Sequence, residues 1–173
     1  MFSKEVKIPE DVKVEIDGEV KVIGPKGENK RKFDLGEVKI EKTNGKIRVF
    51  SESERRKVKA KVGAIAAHIR NMIKGVREGF VYRLKIVYSH FPISVKVEGN
   101  KVFIHNFLGE KEPRVAEIVG RAQVKVEKDE IIVSGIDIDE VGQTAGNIEL
   151  ACKIKARDRK VFQDGIWIVG REK

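Results

Sequence analysis

A chain of 173 residues can make one ordinary domain or two small ones. Its 36 Lys and Arg against 27 Asp and Glu give a net charge of +9, which favours a polyanionic partner, either nucleic acid or an anionic membrane surface. No apolar run is long enough to span a bilayer, no signal-peptide pattern follows Met1, and the lone Cys152 cannot form an internal disulfide; a soluble, intracellular protein is expected.

Met1 to Pro9 reads as an arm leading into the first strand. Val12-Lys13-Val14-Glu15-Ile16 alternates apolar and polar residues, Asp17-Gly18 suits a tight hairpin turn, and Val20-Lys21-Val22 returns. Gly24-Pro25-Lys26-Gly27 is a turn and not a phosphate-binding loop, since it lacks the Lys-Ser/Thr that would meet phosphate and magnesium. Phe33-Asp34-Leu35 reads as a short strand, and Val38 to Phe50 as a hairpin turning at Asn44-Gly45. A helix is expected over Glu52 to Lys74. Val58, Val62, Ile65, Ile69 and Met72 recur on one face of it, and Ser51-x-x-Glu54 reads as a capping box. Arg55, Arg56, Lys57 and Lys59 crowd its start, where the helix dipole favours anions; cations there point to an anionic partner. Ala60, Gly63, Ala64 and Ala67 on the other side are read as good helix formers or as room for a close-approaching backbone.

Gly75 to Gly79 ends the helix and links the halves. Phe80 to Val87 is a long alternating strand that runs into Tyr88-Ser89-His90-Phe91-Pro92. Gly99-Asn100 is the next hairpin turn, with Val102 to Ile104 returning, and Glu110 to Pro113 is a charged loop. Asp137-x-x-Glu140 is a second capping-box pattern. It opens a shorter helix near Asp139 with Val141, Ala145, Ile148 and Cys152 on one face. Lys153, Lys155, Arg157 and Arg159 then alternate with Ile154, Ala156 and Asp158, which reads as an extended segment with its cations along one edge.

The two halves repeat one another. Val38 to Val49 recurs as Val124 to Val133, with Asp129-Glu130 in place of the Asn-Gly turn, and Val12 to Glu15 recurs as Val95 to Glu98. The fold class is therefore α+β: two tandem copies of one module, residues 1–79 and 80–173, each a mostly antiparallel sheet packed on one main helix. Aligning the helix faces instead of the caps gives the first helix about two extra turns, placed at its start.

The motifs of catalysis are missing. His68, His90 and His105 are scattered without a second ligand type at metal spacing, and no nucleophile pattern is present. No enzyme activity, cofactor, metal or small-molecule substrate is expected. Aromatic residues are only 6% of the chain, so shape and backbone recognition of structured RNA is preferred over stacking. For each basic cluster, plain solubility is the competing explanation. The rival class is a non-enzymatic protein-interaction module, with Gly109 to Arg114 meeting a protein and RNA affinity incidental.

Several segments, taken in order, resemble the large-subunit ribosomal protein L6 family in its archaeal form. They are Gly24-Pro25-Lys26-Gly27, Asn71-Met72-Ile73-x-Gly75-Val76-x-x-Gly79-Phe80, Tyr88-Ser89-His90-Phe91-Pro92, Ile136-Asp137 through Ala145, and Arg157 through Ile166. The resemblance implies a cytoplasmic, non-catalytic ribosome component. It implies binding to large-subunit ribosomal RNA near the base of the factor-binding stalk, mainly through the second domain, with ribosomal proteins as neighbours. It also places Lys153, Lys155, Arg157, Arg159 and Lys160 on RNA, with Ser89 and His90 at the RNA or shaping the loop beside it. Residues 1–79 carry net +7 and residues 80–173 net +2, but +4 is concentrated in residues 153–173.

Overall fold

The alternation of β-branched and charged residues that fills the sequence becomes strand wherever a neighbour is available to pair. The computed structural model describes residues 1–172, and the chain falls into two compact units that divide between Gly79 and Phe80.

In the first unit, β1 (Phe2–Lys7), β6 (Lys46–Ser51) and β5 (Lys39–Thr43) form one antiparallel sheet in that order. Strands β2 (Lys13–Asp17), β3 (Glu19–Gly24) and β4 (Gly27–Arg31) form another. One helix, α1 (Arg56–Arg77), lies against both. Its buried stripe of Val62, Ile65, Ala66, Ile69, Ile73 and Val76 meets Val14, Val20, Val22, Ile47 and Val49. The β3–β4 turn closes the end of this helix. Lys26 N–H donates to the Val76 carbonyl at 2.9 Å, satisfying one of the acceptors a helix leaves open at its C-terminus. A Cβ on Gly24 would sit 2.8 Å from that same carbonyl oxygen, so the approach requires glycine.

The second unit repeats the plan and adds to it. Strands β7 (Phe80–Val87), β8 (Ser94–Glu98), β9 (Lys101–His105), β10 (Arg114–Glu117), β11 (Gln123–Glu127) and β12 (Glu130–Gly135) precede α2 (Ile138–Ala151). They correspond in order to β1 through β6 and α1. Strands β10-β9-β8 form one sheet. The other runs β11-β12-β7-β13, because a last strand, β13 (Gly165–Glu172), pairs antiparallel with β7 and has no counterpart in the first unit. The core joins Leu84, Ile86, Val102, Ile104, Ile131 and Val133 to Val141, Ala145 and Ile148 of α2.

Several expectations are corrected. Residues 2–7 are a paired strand rather than an arm, and β7 is its counterpart at the start of the second copy. Phe33 to Leu35 is not a strand. Phe33 packs at a tilt on His68, Arg31 lies over the Phe33 ring, and Asp34 pairs with Lys61, so these side chains meet α1 instead of a neighbouring strand. The second hairpin turns at Lys128-Asp129, one residue early, with Lys128 at φ 45°.

The first helix begins at Arg56 rather than Glu52, and Ser51 and Glu54 do not cap it. Ser51 donates to the Glu37 carbonyl and accepts from Ser53 N–H, while Glu54 pairs with Lys59. The second capping box is half formed. Asp137 accepts from Asp139 N–H at 2.9 Å, but Glu140 accepts from Arg121 N–H in the preceding loop. Val62, Ala66 and Ile69 of α1 and Val141, Ala145 and Ile148 of α2 are buried at the same spacing on their helices. The extra length of α1, 22 residues against 14, extends both ends and not only the start.

Candidate nucleic-acid interface

A dense run of cations follows α2. Ile154 turns into the core, and this throws Lys153 and Lys155 outward. The extended edge expected from Lys153 to Arg159 does not continue. Ala156 takes the left-handed conformation at φ 58°, and Asp158 then nucleates a turn, accepting at its side chain from Lys160 N–H and at its carbonyl from Val161 and Phe162 N–H. The cations therefore line a loop and not one straight edge. Lys153, Lys155, Arg157, Arg159 and Lys160 are all exposed.

Arg114 of β10 anchors the start of this loop. Its guanidinium donates to the carbonyls of Ala151 at 3.0 Å and Lys153 at 2.7 Å, forks onto Glu110, and lies over the ring of buried Phe107. The Arg114 guanidinium holds the Glu110 carboxyl below the usual carboxylate range. From the sequence Arg114 belongs only to a charged loop, because its carbonyl partners lie 37 and 39 residues away.

The turn after β7 meets the same loop. Ser89 donates to Asp164 Oδ1 at 3.1 Å, and Asp164 is buried. Ser89 Oγ also lies 2.9 Å from His90 Nδ1, and with its hydrogen given to Asp164 it is free to accept one from that nitrogen. The His90 ring packs at a tilt on Phe162, and the Arg157 guanidinium stacks over that ring at 4.9 Å. Ser89, His90 and Arg157 thus meet around Phe162 in the second unit, on the loop that also carries Lys153, Lys155, Arg159 and Lys160. Arg55, Arg56, Lys57 and Lys59 belong to the first unit and form a separate group.

That separate group divides in two. Helix α1 contains no acidic residue, and Arg55 occupies its N-cap without a side-chain cap. Arg55 pairs with Glu37 at 3.5 Å and Lys59 with Glu54 at 2.8 Å, so these two cations have local anions. Arg56 and Lys57 are exposed and have no ion-pair partner among the described residues, so the dipole argument applies to them.

The arrangement offers no nucleophile. Ser89 gives its proton to a carboxylate instead of to His90. Burial pushes the Cys152 thiol up to about 12, which keeps it protonated. Among the described residues no group of three or more His, Cys, Asp or Glu could hold a metal ion, and no helix is long and apolar enough to cross a membrane.

Comparison with known proteins agrees with the duplicated plan. The family model described as Ribosomal protein L6 matches residues 8–79 and again residues 91–165. The chain is 56% identical over 170 residues to the large ribosomal subunit protein uL6 of Archaeoglobus fulgidus, covering 95% of this chain and 87% of that one. It is 54% identical over 169 residues to the same protein of Aeropyrum pernix, covering 96% and 93%. For Methanosarcina mazei the values are 50% over 169 residues, 97% and 96%.

Proposed function

Because the chain belongs to the ribosomal protein L6 family, we propose that this structural, non-enzymatic component of the cytoplasmic large ribosomal subunit holds large-subunit ribosomal RNA mainly through its second unit. The observation that carries this reading is the convergence of His90 and Arg157 on Phe162, with Lys153 and Arg159 lining one groove beside that ring and Ser89 bonded to Asp164 at the end of the same cationic loop. Cations on a loop pinned by Arg114 and Asp164 can follow a phosphate backbone with little ordering cost. The family resemblance supports a contact near the base of the factor-binding stalk, with neighbouring ribosomal proteins alongside. Arg56 and Lys57 of the first unit make a second, smaller contact.

A protein-interaction role for Gly109 to Arg114 is less well supported, because Arg114 and Glu110 spend their charge on each other and on the α2 carbonyls. The test is the salt dependence of binding to purified large-subunit RNA. Changing Lys153, Lys155, Arg157 and Arg159 to Ala should lower the slope of log affinity against log salt by roughly 3, at about 0.7–0.9 per phosphate. A quadruple variant with the parent's affinity and slope would remove the loop from the interface. A crosslink map of the same complex identifies the RNA segments touched.

A further inference from the structure

The C-terminal loop also closes one side of an apolar groove of about 600 Å³. Val87, Leu150, Ile154, Phe162 and Trp167 supply its apolar walls. Leu150 is 66% exposed and Trp167 43%, an unusual exposure for side chains of this size. The indole is held in a defined pose. A Cβ on Gly165 would stand 3.1 Å from Trp167 Cε2 and Cζ2, so the ring lies back over the bare backbone of its own strand. One face is thereby packed and the ring remains accessible. Lys153 and Arg159 also line the groove, and neither has an ion-pair partner among the described residues. Glu149 and Gln163 supply its remaining polar groups.

We infer that this groove receives one unpaired nucleobase of the bound RNA, stacked on Trp167, with its flanking phosphates on Lys153 and Arg159. The inference rests on the RNA-binding reading of the C-terminal loop. A nucleotide presents a flat π surface and an anion on one unit, which matches an accessible indole beside two uncommitted cations. An apolar side chain from another protein would fill the walls and leave both cations unmatched. Glu149 accepts hydrogen bonds only, so it favours a base that offers an exocyclic amine (adenine, cytosine or guanine) over uracil, whose donor N–H sits between two carbonyl oxygens that repel a carboxylate.

Trp167 is the single tryptophan of the chain, so its emission reports on this groove alone. The experiment titrates the full chain with purified large-subunit RNA at low salt while following indole emission. Quenching that saturates with binding is expected. Trp167→Leu should weaken binding on the order of tenfold without changing the salt slope, since no phosphate contact is lost. Trp167→Phe, which keeps a stacking ring, should lie between. Lys153→Ala with Arg159→Ala should lower the slope and preserve the quenching at saturation. Short adenosine or cytidine oligonucleotides should quench more strongly than uridine ones, and Glu149→Gln should narrow that gap. RNA that binds without altering the indole overturns the groove assignment and leaves the loop reading standing. An absence of RNA binding overturns the loop reading itself. An indole that responds to a neighbouring ribosomal protein and not to RNA gives the groove to a protein.

Discussion

Removing Arg114 tests how the basic loop is held. Arg114→Ala deletes two charge-assisted hydrogen bonds, to the Ala151 and Lys153 carbonyls at 3.0 and 2.7 Å. Such bonds are worth about 1.5–3 kcal/mol each when shielded. These carbonyls lie at the end of α2 near solvent, so water replaces part of that and the lower value applies. The forked pair with Glu110 contributes about 1 kcal/mol at most, because the side chains are 21% and 42% exposed. Uncovering the Phe107 ring adds about 0.5–1 kcal/mol. The expected loss is about 3.5–5 kcal/mol, confined to the second unit. Urea unfolding of the full chain, followed by Trp167 emission, isolates that unit because the only indole is there. Glu110→Gln is the control: it removes the screened ion pair and spares the carbonyl contacts, so about 1 kcal/mol or less is expected. Equal losses in the two variants, or a loss below about 0.5 kcal/mol for Arg114→Ala, would refute the assignment of Arg114 as the anchor.

Other expectations are independent of that one. Since Arg114 lowers the Glu110 pKa in the folded state, the pair's stabilisation is full above the unfolded carboxylate range and fades as pH falls through the lower folded value; Arg114→Ala should flatten this acid limb in a series of melts. Asp137→Ala should cost about 1 kcal/mol by removing the α2 cap, measurable in urea, whereas Glu54→Ala should cost less because Glu54 caps nothing. Gly24→Ala drives a methyl against Val76 backbone at 2.8 Å and should destabilise the first unit by about 1–3 kcal/mol; a melt matching the parent's would show that the turn can move. Arg56→Glu and Lys57→Glu should each stabilise the free protein by about 0.3–1 kcal/mol and weaken RNA binding. Reversing Arg55 or Lys59 should stabilise less, because each first loses an acidic partner.

The duplicated module was legible because strand alternation and helix periodicity are local properties written twice. Val62, Ala66 and Ile69 could be laid on Val141, Ala145 and Ile148 from spacing alone, and the burial of both sets follows. What escaped was set by distant partners. Ser51-x-x-Glu54 has the composition of a cap, but Glu37 and Lys59 compete for those side chains. Strand β1 becomes a strand only because β6 lies beside it, and its mixed sequence gives little notice. The cations after α2 were visible, but their path was not. Alternation predicts an extended edge, and nothing about alanine announces the left-handed backbone at Ala156. Arg114 and Trp167 carried no motif, because each acquires its role from contacts formed across the fold.

Strand β13 has a consequence for the order in which the protein can fold as it is made. The first unit pairs only segments that precede Gly79, so every strand and the helix it needs are present once that residue has left the ribosome. The second unit cannot finish on the same terms. Strand β7 is its earliest element, yet one edge of β7 waits for Gly165 and the residues after it. Until they arrive, that edge is an unpaired template open to wrong partners. The basic loop lies between α2 and β13, so its far end is free for the same interval. A nascent chain therefore carries a finished first unit well before it can present a fixed cationic loop. Chains stopped short of β13 should be recognisable to quality control by an open sheet edge and poor RNA retention.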